Sequence, residues 1–130
     1  MTAILLVGVG SFIGGILRYG LTGFVSRSLG GPWFPYGTLA VNAVGSLAIG
    51  FLAGSAGRWL PFSADMRLFL FTGILGGFTT FSAFALETLI LAQEGQQGAA
   101  MINVSLQLLL GLAAVWFGHA LGDALARSGA

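Results

Sequence analysis

The sequence predicts an all-α membrane protein with four transmembrane helices, on three observations. Of its 130 residues, 56% are hydrophobic and 7% are charged, a balance no water-soluble domain of this size carries on its surface. Mean hydropathy is +0.94. Apolar stretches of about 20 residues, the length that crosses a hydrocarbon core, recur four times.

The first span is expected over residues 3–26. It has no basic leader region or cleavage site and its apolar run exceeds that of a secretory signal, so it reads as a retained helix. Gly30-Gly31-Pro32-Trp33-Phe34-Pro35 separates it from a second span over 37–57, which ends at Arg58-Trp59-Leu60-Pro61. The third is expected over 67–92, and Gln93-Glu94-Gly95-Gln96-Gln97 leads to the fourth over 98–122. Trp33, Tyr36 and Trp59 fall at the ends, where aromatic belts sit. The spans form a single domain covering residues 1–130, with both termini on one side. Each carries a GxxxG pair: Gly10 and Gly14, Gly50 and Gly54, Gly73 and Gly77, Gly118 and Gly122. Such pairs let helix backbones approach closely in lipid, so a tightly packed bundle is expected.

The third span is expected to be broken. It contains Gly76-Gly77-Phe78-Thr79-Thr80-Phe81-Ser82-Ala83-Phe84, a glycine pair, three hydroxyls and three phenyl rings in mid-segment. Irregular backbone at membrane depth survives only where protein or a water-filled path satisfies it, as at the broken helices of transporters.

Charge barely orients the chain. The side holding the termini has Arg58, Arg67 and Arg127, the other has Arg27 with Arg18 near the end of the first helix, and lysine is absent. With so small a bias both orientations insert, which permits an antiparallel, dual-topology homodimer built on identical patches. Four short helices enclose little volume, so a pathway shared between subunits is expected.

Several chemistries are excluded. Without cysteine there are no disulfides or thiolate metal sites, and His119, Asp65, Asp123, Glu87 and Glu94 are not spaced as a ligand set. A net charge of +1 offers no basic patch for nucleic acid. No nucleophile, base and orienting group are spaced for catalysis. Glu87, one turn beyond Phe84, is a secondary site candidate, since an intramembrane acid is functional by default. On the fourth span Asn103 and Gln107 share a face opposite Ser105, and the serine is the favoured pore residue. His119 reads as interfacial.

Gly15-Ile16-Leu17-Arg18-Tyr19, Gly37-Thr38-Leu39-Ala40-Val41-Asn42 and the third-span motif, in this order on four spans, resemble the bacterial Fluc (CrcB) fluoride channel family over essentially the whole chain. The resemblance implies an antiparallel homodimer in the inner cell membrane with two fluoride pores and a sodium ion at its centre. It implies passive export of fluoride accumulated after HF enters a cell and dissociates. Phe81 and Phe84 match the phenylalanines lining the family's pores, and Asn42 matches the asparagine of the second helix. Gly76 and Thr79 match positions whose main-chain oxygens hold the sodium. Thr38 and Ser105 match pore hydroxyls, and Arg18 matches the arginine of the first helix. Where some members have a tyrosine one turn before the fourth-helix serine and a hydroxyl one turn after, this chain has Met101 and Leu109.

Fluoride is small, strongly hydrated and a strong acceptor, so a pore must replace its water with donors that hold it loosely. Asn42, Thr80, Ser82 and Ser105 offer neutral donors, and phenyl edges carry partial positive charge. Phe81 and Phe84, three apart, share a helix face. An arginine inside the pore would hold the ion too firmly for conduction; Arg18 suits a vestibule that draws anions in. Two other functions compete. A small four-helix multidrug/proton exporter needs a buried carboxylate, and the first two helices have none; Glu87 alone supports it. A non-transporting scaffold subunit would leave the third-span motif without purpose.

Overall fold

Because hydrocarbon offers backbone groups no partners, apolar stretches of this length close their hydrogen bonds within themselves as helices. The computed structural model describes residues 1–29, 31, 33–56 and 62–128. Among them the elements are α1 (Thr2–Ser28), α2 (Tyr36–Ser55), α3 (Ala64–Arg67), a π-helical segment (Leu68–Leu75), α4 (Gly76–Phe78), α5 (Phe81–Gln93) and α6 (Gln97–Ser128). No strand occurs among the described residues. From Ala64 to Gln93 the segments follow one another as one apolar stretch, so four stretches are long and apolar enough to cross a membrane. The punctuation expected at Gly30, Pro32 and Arg58-Trp59-Leu60-Pro61 lies outside the described residues.

Helix ends follow local chemistry. Ser63 caps α3, its side chain accepting from the Met66 amide at 3.2 Å. α5 stops where Gly95 adopts φ 78°, a conformation glycine takes at little cost, and α6 starts two residues later. Its far end runs six residues past the expected limit of 122. There Arg127 pairs with Asp123 at 2.6 Å, one turn apart, which supports helix beyond the apolar stretch.

The glycines decide which helices touch. A methyl on Gly10 would stand 2.7 Å from Gly73 Cα, and one on Gly77 would stand 2.6 Å from the Ser11 carbonyl, so α1 and the first half of the third span meet backbone to backbone. Across the molecule, methyls on Gly50 and Gly54 would overlap the Val115 and His119 carbonyls. Methyls on Gly118 and Gly122 would overlap those of Leu47 and Phe51. All four expected GxxxG pairs are therefore spent on two contacts, α1 with the third span and α2 with α6, where close backbones replace a hydrophobic driving force.

The third span changes partner midway. Its π segment and α4 pack on α1, whereas α5 packs on α6. The change falls at Thr79 and Thr80, between α4 and α5. Outward faces remain apolar, with Phe12 70% and Trp116 77% exposed, as a lipid-facing surface requires.

Candidate functional site

Thr79 and Thr80 have extended backbone, at φ −80°, ψ 157° and φ −150°, ψ 114°. Locally the sequence arranges this with hydroxyls. Leu75's carbonyl accepts from both the amide and the hydroxyl of Thr79, each at 3.0 Å, and Thr80 caps α5 by accepting from the Ala83 amide at 3.2 Å. Gly45 of α2 makes room, since a methyl there would overlap the Thr79 methyl.

Asn42 holds the extended pair from α2. Its Oδ1 accepts from the Thr80 amide at 2.8 Å and its Nδ2 donates to the Thr80 carbonyl at 3.0 Å. The second Nδ2 proton goes to Gln107 Oε1 of α6, also at 3.0 Å. With one end bound to a peptide unit, the amide's orientation is fixed, and Gln107 is fixed in turn. Gln107 Nε2 is left buried without an acceptor.

Two carbonyls lose their usual donors in this arrangement. In a continuous helix the Thr80 amide would donate to Gly76 and the Ala83 amide to Thr79; here they donate to Asn42 Oδ1 and Thr80 Oγ1. Neutral main-chain oxygens suit a hard cation of low charge, so Gly76 and Thr79 fit sodium chemically. No cluster of three or more His, Asp or Glu able to hold a metal exists among the described residues.

Around this point lies a cavity of about 390 Å³, lined among others by Asn42, Ser46, Gly76, Thr79, Thr80, Phe81, Phe84 and Gln107. The Phe81 and Phe84 rings stand 5.3 Å apart at 69°, edge to face. Phe84 is 9% exposed and Phe81 77%. One ring thus belongs to the interior and the other projects from the single chain. Among the described residues the cavity's polar side chains are neutral amides and hydroxyls, and none in its lining is charged.

Other candidates lie apart from that cavity. Thr38, 4% exposed, donates to Glu87 Oε1 at 2.6 Å, while Glu87 Oε2 is buried without a partner. Glu87 lines a second cavity of about 540 Å³ with Ser26, Arg27 and Glu94. The exposed Ser82 is 3.3 Å from the Thr80 hydroxyl, and Ser105 is exposed on α6. Arg18, partly exposed, has no ion-pair partner among the described residues. It was expected near a helix end, but α1 continues to Ser28, which leaves Arg18 ten residues, about 15 Å, before that end.

Gln107, which shares the face opposite Ser105, is the α6 residue that meets Asn42. The signal was present: Gln107 stands eleven residues, three full turns, before Gly118 and therefore shares the stripe that packs on α2. Ser105, two residues back, falls about 200° away from it.

The chain matches known proteins along most of its length. Residues 5–119 match the family described as CrcB-like protein, Camphor Resistance (CrcB). A protein of Agrobacterium fabrum named fluoride-specific ion channel FluC is 49% identical over 94% of this chain and 97% of its own length. Proteins of the same name from Methylobacillus flagellatus and Rhizobium meliloti are 46% and 45% identical, over 93% and 96% of this chain and 94% and 99% of theirs.

Proposed function

The chain belongs to the CrcB-like family, and from that premise we propose that it is a fluoride-selective channel whose path runs through the cavity beside Phe81 and Phe84. It is an ion channel rather than an enzyme, and a multi-pass membrane protein. The observation that carries the reading is a buried, unspent amide donor, Gln107 Nε2, beside two phenyl rings in a cavity without charged groups.

Fluoride arriving there exchanges water for neutral donors and for phenyl edges, whose partial charge favours an anion. Neutral contacts hold it weakly enough to leave, which a fixed cation would prevent. Asn42 has both protons committed, so its part is to orient Thr80 and Gln107, and Gln107 is the donor at that level. Thr38 has given its proton to Glu87; along the path Thr80, Ser82 and Ser105 supply hydroxyls. Arg18, unpaired within its span, gathers anions in a vestibule that reaches its depth.

The working unit of this proposal is an antiparallel homodimer with two pores. Near-balanced arginines and the exposed Phe81 support it, because an inverted copy laid against that ring would enclose its side of the cavity. The extended Thr79 and Thr80 are its break in the third span. Gly76 and Thr79 would hold a sodium ion at the centre by their freed carbonyls, and bound sodium would supply a fixed positive charge joining two helix ends. No comparable support exists for an exporter: the two carboxylates of the third span and its turn, Glu87 and Glu94, lie away from the Asn42 cavity.

Purified protein in liposomes loaded with potassium fluoride or chloride, with valinomycin added to carry potassium, tests the function. Fluoride should leave rapidly while chloride stays. Equal release of both, or drug-coupled proton movement lost in Glu87→Gln, would contradict the proposal.

A further inference from the structure

Phe84 is tied to the fourth span by a route outside the cavity. Thr88, one turn further along α5, donates its hydroxyl proton to the Phe84 carbonyl at 2.8 Å. Asn103 of α6 donates Nδ2 to that same hydroxyl oxygen at 2.9 Å. A hydroxyl has one proton, so with it spent on Phe84 the oxygen can only accept from Asn103, and the amide's orientation follows.

Asn103 is 0% exposed and its Oδ1 has no hydrogen-bond partner. A buried, unsatisfied acceptor is a cost that a leucine of similar size would avoid. Its other half is committed to a hydroxyl that bonds a carbonyl four residues back, a pattern that competes with the regular helix bond and acts on the geometry of that turn. Asn42 of α2 grips Thr80, the cap of α5, one turn before Phe84. The turn bearing both rings is therefore clamped at one end by α2 and at the other by α6.

We propose that Thr88 and Asn103 form a positioning relay that fixes the edge of the Phe84 ring at the cavity by anchoring its carbonyl to α6. Neither residue lines the cavity; both act through Phe84. The functional consequence rests on the cavity being the fluoride path.

The test compares Thr88→Val, which keeps the shape and loses both bonds, with Thr88→Ser, which keeps both bonds. Fluoride release from liposomes is read beside the fluorine NMR line of 4-fluorophenylalanine placed at position 84. Thr88→Val should slow release about tenfold, the effect of one or two lost hydrogen bonds, and broaden or shift the fluorine line. Thr88→Ser should stay within about twofold with an unchanged line. An assembled Thr88→Val protein with the original rate and line overturns the relay, and so does a serine variant as impaired as the valine. If Thr88→Val fails to assemble, Asn103→Ala removes the outer link alone; it should broaden the same line, and an unchanged line overturns the proposal. A parent protein that releases no fluoride defeats the channel reading, while the fluorine line still decides the relay.

Discussion

Replacing Asn42 by valine removes three hydrogen bonds at once: to the Thr80 amide, the Thr80 carbonyl and Gln107. Interhelical bonds in membranes are worth about 0.6–1 kcal/mol each, so the direct loss is about 2–3 kcal/mol. The freed Thr80 amide has an alternative, because the Gly76 carbonyl four residues back is the acceptor a continuous helix would give it. Reforming that bond recovers about 1 kcal/mol. The net loss is then about 1–2 kcal/mol, and the extended segment closes toward helix. Function should suffer more than stability: with Gln107 unheld and the Gly76 carbonyl occupied, fluoride release should fall more than about tenfold, and stabilisation by sodium should disappear. Unfolding in detergent, with sodium or with N-methylglucamine, gives the first quantity, and liposome release gives the second. Asn42→Asp is the discriminating control. It keeps an oxygen for the Thr80 amide, so the response to sodium should persist, but its charge should repel fluoride and stop release. Full release from Asn42→Val, or a destabilisation well above 3 kcal/mol, would refute this reasoning, the latter because Thr80 would have been left without a partner.

Three further outcomes follow from the geometry. Gly14→Ala places a methyl against the Ile74 carbonyl and 2.8 Å from the Phe78 amide, both backbone. It should cost about 1–3 kcal/mol and lower the yield of monodisperse protein on size-exclusion chromatography, while Gly15→Ala, with nothing within 4 Å, should behave as the parent. Phe81→Ile removes the ring that projects from the single chain, and should cut fluoride release at least about tenfold with the elution profile unchanged; unchanged release would remove that ring from the path. Exchanging sodium for N-methylglucamine during purification should lower the melting temperature of the protein, and equal melting in both salts would argue against the proposed sodium site at Gly76 and Thr79.

The spans were legible because hydrocarbon leaves few solutions: length and apolarity alone give four helices. Glycine spacing carried the next level, since every GxxxG pair is a backbone contact in the fold, although which pairs meet could not be read from one helix at a time. The rotation of α6 was harder. Asn103, Ser105 and Gln107 are all polar, and local spacing separates their faces without saying which one meets α2. That choice is made by Gly118 and Gly122, far along the helix, which turn Gln107 toward Asn42. Asn42 stood out in the sequence, but its partner is the backbone of a segment thirty-eight residues later, a contact no periodicity encodes.

The central claim is that fluoride crosses beside Gln107, and the chain's lack of cysteine makes a direct measurement simple. Silver ions, which react with thiolates, are added to liposomes holding Gln107→Cys or Trp116→Cys protein while the fluoride release each variant retains is recorded. Block of Gln107→Cys with Trp116→Cys unaffected is the expected result. Release from Gln107→Cys that continues after its thiol is shown to have reacted, with block at Trp116→Cys instead, would contradict the account.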